Sequence, residues 1–470
     1  MYLKFISVVF LLFMLAISSC SDNSANKETT ELDRIINRDT LRVLTGYNAY
    51  SYFIYKGQPM GFEYDLVNKL AEYLGIEPEF IIVKKIDDMF TKVNSDSGDV
   101  IAFNLTITKD RLDKVDFTHH HYTIKQVLVQ RKPEDWHKMM VHQIEEQLIR
   151  DPSELIGDTI VVRSGSSYTP RLKNLSDEIG GDIIIKEADP ELTIEDLIEM
   201  VSKGEIKYTI SDDNVASLSA AFFNNIDVKT PVSLIQRAAW AVGKSSYTLL
   251  DTINYWLDSI KSTEYYAVTY NKYFKNRYAY KRRVKSDLMS VKGNNISNYD
   301  ELVKKHLTDL NWDWRIVASQ IYQESQFNPN AKSWAGAVGL MQLLPSTGEM
   351  VGITKLYNPE SNIKGGIKFL TYLDSHWKEA ITDSLERIKF VLASYNIGLG
   401  HIEDAQRLSE KFGANSNIWF DNVEYYLLKK SKPKYYNDEV VRNGYSRGIE
   451  TVIYVKEILD RYEHYKKFYD

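Results

Sequence analysis

Between residues 40 and 275 the apolar positions switch repeatedly between a period of two and a period near 3.6. "LRVLTGY" reads as a strand, "GFEYDLVNKLAEYLG" carries Phe62, Leu66, Leu70 and Leu74 at helical spacing, and "PEFIIVKK" reads as the next strand. The alternation returns in "DTIVVRSG", in "TIEDLIEMVSKGEIKYTISD" and in the helical "YTLLDTINYWLDSIKSTEYYAVTYNKYF". Strands alternating with helices predict α/β units. Residues 276–298 lose this periodicity and gain Gly, Asn and the basic residues Arg277, Lys281, Arg282, Arg283 and Lys285. They read as a solvated linker, with contact to an anionic lipid or glycan surface as the alternative. From 299 to 470 almost every segment has helical spacing, which predicts a mainly α second domain.

The first twenty residues follow another pattern. Lys4 precedes the apolar run "FISVVFLLFML", which is too short to span a bilayer, and "ISSC" closes it. This reads as a secretion signal. Cys20 is the only cysteine, so no disulfide framework or CxxC site exists, and its setting resembles a bacterial lipobox. That resemblance implies a lipidated Cys20 holding the chain to a membrane, and Ser21 after it leans toward the outer membrane, on the periplasmic face. A cleaved signal with an incidental cysteine is the alternative. "SDNSANKETTE" opens a polar stretch, 21–39, that reads as a flexible tether. A net charge of −6 over 470 residues gives no case for nucleic acid as a partner. Three consecutive histidines, His119 to His121, cannot all face one ion from a strand, so neither a metal nor another cofactor is expected.

In "WDWRIVASQIYQES" the apolar stripe Trp314, Val317, Ala318 and Ile321 runs directly into Glu324. A carboxyl group turned toward packed surface has its charged form disfavoured and its pKa raised, which suits a proton donor near neutral pH. Ser325 beside it offers an orienting hydroxyl, and Asn328-Pro329 is expected to end the helix. A structural acid paired with an arginine is the alternative.

The surrounding motifs favour chemistry. "QESQFNP", "SWAGAVGLMQLLPSTG" (333–348), "NPESNIKGGIKFLTYL" (358–373), "LASYNIGLG" (392–400) and "ETVIYVKEIL" (450–459) occur in that order. Order and gaps resemble the lytic murein transglycosylases with a goose-lysozyme-like fold. The resemblance implies that Glu324 is the catalytic acid/base. It implies that Ser325, Met341 and Gln342 line the sugar cleft, that Tyr395 and Asn396 hold the glutamate and substrate, and that Tyr454 closes the site. Gly336 and Gly339 would permit close backbone approach of a glycan, or simply a tight turn. Ser394 stands where the family usually has alanine, a swap from which little consequence is expected.

Glycosidases commonly use two carboxylates, and these motifs supply one. A single acid suffices if the muramic C6 hydroxyl is the nucleophile, leaving a 1,6-anhydro end. The resemblance thus implies a peptidoglycan glycan strand as partner and a lyase as the class. A lysozyme-like hydrolase remains open, as does a lipid-anchored binding protein with a wall-binding module.

"NLTITKDRLDKVDFT" (104–118), with "GFEYDLVNKLAEYLG" and "VVRSGSSY" at matching places, resembles the family 3 periplasmic solute-binding proteins over about 40–275. The resemblance implies that Arg111 pairs with a ligand α-carboxylate beside Thr106. Ser166 and Ser167 become second-lobe donors, and Asp212 the partner of a ligand amino group. A surface salt bridge of Arg111 with Asp110 or Asp113 is the alternative. The ligand expected is an amino acid or a muropeptide. Taken together, the expected architecture is multidomain: a two-lobed α/β periplasmic-binding-protein-like domain followed by a mainly α lysozyme-like domain.

Overall fold

A computed structural model of the chain describes residues 29–291 and 293–469. The signal segment and Cys20 lie outside the described residues. The first strands are β1 (Thr40–Thr45), β2 (Phe53–Tyr55), β3 (Gln58–Met60), β4 (Glu77–Ile82), β5 (Val100–Thr106), β6 (Asp116–Phe117) and β7 (Tyr122–Ile124). Next come β8 (Gln126–Arg131), β9 (Thr159–Val162), β10 (Ile184–Glu187), β11 (Tyr208–Asp212), β12 (Ile226–Asp227) and β13 (Gln236–Val242).

Two sheets result. One runs β4-β1-β5-β13-β6, with β7 also on β13, and the other runs β10-β9-β11-β8-β12. β1 is parallel to β4 and β5, while β13 returns antiparallel beside β5. The chain leaves the first sheet between β7 and β8 and comes back between β12 and β13, so two crossovers join two lobes. β5 is buried at every position except Asn104, because helices or strands cover both faces of a central strand. The two-lobed expectation therefore describes this half.

Two boundaries differ from the sequence reading. Part of the expected tether is helix α1 (Glu31–Asn37), opened by a capping box in which Thr30 Oγ1 accepts from Asp33 N and Asp33 Oδ2 accepts from Thr30 N. Ile35 enters the first-domain core, and the Glu31 carboxylate accepts from Leu249 N at 3.0 Å. A polar composition hid one buried side chain and one capping signal.

The expected linker is likewise folded. Helix α2 (Arg277–Val284) buries Tyr280, Arg283 and Val284, and Met289 and Ile296 beyond it are also buried. The Arg283 guanidinium lies 5.5 Å from the Phe53 ring centroid and 5.6 Å from that of Tyr273, so this cation is held on aromatic faces rather than in water. Lys56 N donates to Leu288 O, and Ile54 and Ser290 exchange bonds, which fastens 288–290 to the β2–β3 hairpin. Basic residues dominate the composition here, but Tyr280 and Val284, spaced i and i+4, form the stripe that packs.

The second half is helical around one core containing Val317, Ile321, Leu340, Met341, Ile367, Leu370, Phe390, Val391 and Val455. Its main elements are α3 (Trp314–Ser325), α4 (Pro359–Trp377), α5 (Ser384–Ile397) and α6 (Ile449–Lys466). Residues 326–344 are the longest stretch without helix, a loop held by isolated bridges at Lys332–Val338 and Val338–Leu343.

The two halves meet along α6 and the β2–β3 hairpin. Tyr465 OH donates to Gly57 O at 2.5 Å, Lys467 Nζ donates to Phe80 O at 2.7 Å, and the Phe468 ring lies 4.7 Å from that of Tyr47. Gly57, at the hairpin tip, has φ of +77°, and a Cβ there would come within 2.6 Å of Phe327 and 3.1 Å of Tyr322. Only glycine fits both the backbone conformation and the space. Gly75 has the same left-handed backbone, φ +72°, with nothing within 4 Å, so it isolates the conformational cost. Gly57→Ala should therefore destabilise the protein by about 1–3 kcal/mol more than Gly75→Ala, measured by denaturant unfolding. Equal losses would mean that the hairpin tip is not a tight contact.

Candidate active site and ligand site

Glu324 owes its position to α3. Asp313 caps the helix by accepting from Arg315 N, and Val317, Ala318 and Ile321 anchor its inner face. The helix stops at Ser325, ahead of Asn328-Pro329, because Gln326 and Phe327 both turn left-handed, with φ of 52° and 61°. Glu324 is left half-buried on the last turn. Burial pushes its carboxyl up to about 7, opposed by a hydrogen bond from Tyr454.

That bond is short: Tyr454 OH donates to Glu324 Oε1 at 2.5 Å, while Gln320 Nε2 donates to Tyr454 OH at 3.1 Å. Gln320 and Glu324 lie one turn apart on α3, so a single phenol from α6 spans both. Burial and the neighbouring carboxylate push the Tyr454 phenol well above its ordinary range, which keeps it a donor. Among the described residues no lysine or arginine acts on Glu324, so the paired structural acid is not what forms here.

The other expected site residues divide. Ser325 Oγ donates to Leu340 O at 2.8 Å and ties the helix end to the following loop. Gln342, half-buried with φ of 47°, uses Nε2 to hold Gly339 O at 2.9 Å and Ala331 O at 3.2 Å. Tyr395 OH donates to Met341 O at 2.7 Å, so it grips the loop rather than the glutamate, and burial pushes its phenol up as well. Asn396 is exposed and accepts from Thr451 Oγ1 at 2.7 Å. Met341 needs correction: its side chain is fully buried against Gly366, where a Cβ would come within 2.1 Å of Sδ, so it packs the core and cannot line a sugar cleft. Ser394 also matters more than expected, because its buried hydroxyl accepts from Trp377 Nε1 at 2.9 Å.

Two organising residues escaped the sequence reading. Asn362, fully buried, accepts from Met341 N at 2.7 Å and donates to Val338 O and Leu356 O. Gly339 must be glycine for it, since a Cβ there would lie 2.3 Å from Asn362 Nδ2. The signal was an asparagine inside the apolar stretch "NIKGGIKFL". Gln320 carried none, as a polar residue in a helical run is ordinarily solvated.

In the first domain Arg111 is buried. Nη1 donates to Thr106 O at 3.0 Å in one lobe and Nη2 to Gly165 O at 3.1 Å in the other, with the guanidinium 5.7 Å from the Phe90 ring centroid. It forms no surface salt bridge with Asp110 or Asp113; burial pushes it down to about 10. Asp212, from the second lobe, accepts from Asn104 Nδ2 of the first at 2.8 Å, and burial pushes it up to about 7. Ser167 Oγ accepts from Gln126 Nε2 and Ser166 Oγ from Tyr168 N, so both hydroxyls have local partners. The histidines diverge: His119 is exposed beside Asp258, and His121 is buried against Trp240.

Two family models match the chain: the bacterial extracellular solute-binding proteins, family 3, over residues 41–276, and the transglycosylase SLT domain over 301–418. Full-length relatives carry the name membrane-bound lytic murein transglycosylase F. One from Desulfosudis oleivorans is 33% identical, covering 99% of this chain and 98% of its own. Another, from Pseudomonas fluorescens Pf0-1, is 29% identical over 98% of this chain and 90% of its own. Among solved structures, the ancestral amino acid-binding protein AncCDT-1 is 25% identical, covering 52% of this chain and 99% of that one, at a TM-score of 0.43. With a relative 33% identical across nearly its whole length, this chain belongs to the membrane-bound lytic murein transglycosylase F family.

Proposed function

We propose that the protein cleaves the β-1,4 bond between N-acetylmuramic acid and N-acetylglucosamine in peptidoglycan without water. The observation that carries this reading is the desolvated Glu324, raised to about 7 and held by the Tyr454 phenol, with no other carboxylate acting on it among the described residues. Protonated Glu324 gives its proton to the glycosidic oxygen as the C1–O bond breaks and positive charge develops at C1. The Glu324 carboxylate then takes the proton of the muramic C6 hydroxyl, whose oxygen bonds to C1. The acid is restored, and the product carries a 1,6-anhydro ring. The intramolecular hydroxyl replaces the water that a hydrolase would need, and its high effective concentration offsets the missing second carboxylate.

The first domain is read as a receptor for an amino acid or a wall-derived peptide. Arg111 and Asp212 would exchange their present partners for the ligand's carboxylate and amino group. Both bonds cross between lobes, so ligand binding would reset lobe position, and the Gly57 hairpin and α6 would carry that change to Phe327 and Tyr454. The relatives' membrane-bound name supports an envelope location, and lipidated Cys20 is the anchor this reading assigns; among the described residues no helix is long and apolar enough to cross a membrane. Cys20→Ser should move the protein from the membrane to the soluble fraction.

Purified glycan digested by the mature chain should yield 1,6-anhydro-muramic ends by mass analysis, and Glu324→Gln should lose at least ~10²–10⁴ in rate while staying folded. Reducing, hydrated ends as the main product would establish the hydrolase instead. Because the protonated acid starts the reaction, the rate should fall as pH rises through about 7. The Tyr454 bond lowers the Glu324 pKa, so Tyr454→Phe should shift that limb upward as well as slowing turnover. A limb that stays in place would detach Tyr454 from the acid. Arg111→Ala should abolish calorimetric binding of wall-derived amino acids or peptides, together with any change they cause in cleavage, a coupling of about 1–3 kcal/mol. Binding without any effect on cleavage would leave the first domain as a targeting module.

A further inference from the structure

Trp334 is 100% exposed, an extreme position for the largest apolar side chain in a protein that buries Trp240, Trp377 and Trp419 completely. It is not on a floppy loop. Residues 332–338 form a tight hairpin in which Ser333 N donates to Ala337 O at 2.9 Å, Ala337 N to Ser333 Oγ at 3.0 Å and Gly336 N to Ser333 O at 3.1 Å. Gly336 turns the tip with φ of +86°. Ser333, Ala335 and Ala337 around the indole are small and uncharged, so nothing bulky on the hairpin covers the ring.

The base of this hairpin is bonded to the acid's own surroundings. Ala331 O accepts from Gly339 N and from Gln342 Nε2, Met341 O accepts from Tyr395, and Leu340 O accepts from Ser325, the neighbour of Glu324. Trp334 is three residues beyond Ala331, hence at most about 10 Å from it. The backbone that carries the indole is thus tied to the elements that surround the acid. A pyranose ring presents an apolar face of C–H groups, for which an aromatic face is a matching surface, and a side chain with only two rotatable bonds on an ordered backbone loses little entropy on contact.

We propose that Trp334 is a stacking platform for a sugar ring of the glycan strand away from the scissile bond, a specificity-determining contact that makes the enzyme favour long strands over short fragments. The proposal rests on the glycan-cleaving reading above.

The test uses the mature chain on purified glycan strands and on the shortest fragments it cleaves. Trp334→Ala should raise KM for long strands about tenfold, with kcat nearly unchanged and with short fragments cleaved as by the wild type. Trp334→Tyr should recover most of the loss. In a Glu324→Gln background, which should bind without turnover, Trp334→Ala should weaken glycan co-sedimentation by a similar factor. Unchanged KM and unchanged co-sedimentation, in an enzyme that still cleaves, overturn the platform and leave the cleavage reading standing. If Trp334→Ala instead alters only the sedimentation coefficient of the protein, the indole is a protein contact and the proposal fails. A wild type that neither binds nor cleaves glycan overturns both readings.

Discussion

The hydrogen bond from Tyr454 to Glu324 is the constraint on which the catalytic half turns. A half-buried carboxyl needs a donor when it ionises and has to remain a donor itself when it does not; one phenol, itself held by Gln320, meets the first need without supplying a cation. A lysine or arginine in that place would pull the acid down and leave it ionised at neutral pH. The phenol stabilises the carboxylate only modestly, so burial still dominates and the group stays close to 7. For this to work α6 has to lie at hydrogen-bonding distance from α3, and Ser319, whose hydroxyl donates to Ile458 O at 2.8 Å, pins the two helices together one turn earlier.

The loop from 326 to 344 shows how the rest of the site is kept in place. Gln326, Phe327 and Gln342 hold left-handed backbone, each at a cost of order 1–3 kcal/mol. Such strain persists only where tertiary bonds outweigh it. Here they come from four directions: Ser325 on α3, Asn362 on α4, Tyr395 on α5 and Gln342 in the loop itself. The residues expected to touch sugar therefore mostly grip backbone, so the loop beside the acid is already formed without a ligand.

How much of this could be read beforehand depends on whether a residue acts through its chemistry or its surroundings. Glu324 was legible because an acid interrupts an apolar stripe of fixed period, and the two-lobed half was legible because strands and helices alternate. Met341 was misread because a motif gives neighbours in sequence and not the direction of a side chain; the space beside Gly366 decides that direction. The 276–298 stretch was misread because charge was weighed by count, although Arg283 sits on two rings and Tyr280 and Val284 carry the packing. Thr106 was expected beside Arg111, but the bonds themselves could not be read, since Thr106 O and Gly165 O are backbone atoms brought together by two lobes.

The same contacts explain why the two halves are not simply strung together. Gly57 at the tip of the first domain's hairpin touches Phe327, a strained residue three positions beyond Glu324, and its carbonyl is held by Tyr465, about three turns along α6 from Tyr454. One hairpin thus bears on both partners of the central hydrogen bond, through the turn that follows the acid and through the helix that carries the phenol. A packed interface of this kind does not deform smoothly; it holds one arrangement or exchanges it for another. If the lobes bridged by Arg111 and by Asn104 with Asp212 were to move, the hairpin rooted in the first lobe would have to carry Phe327 and Tyr465 with it or lose them. Either outcome would strain the turn after the acid or the helix that carries the phenol, and the bond between them is the part of the Glu324 proton affinity that such a movement could alter, burial supplying the rest.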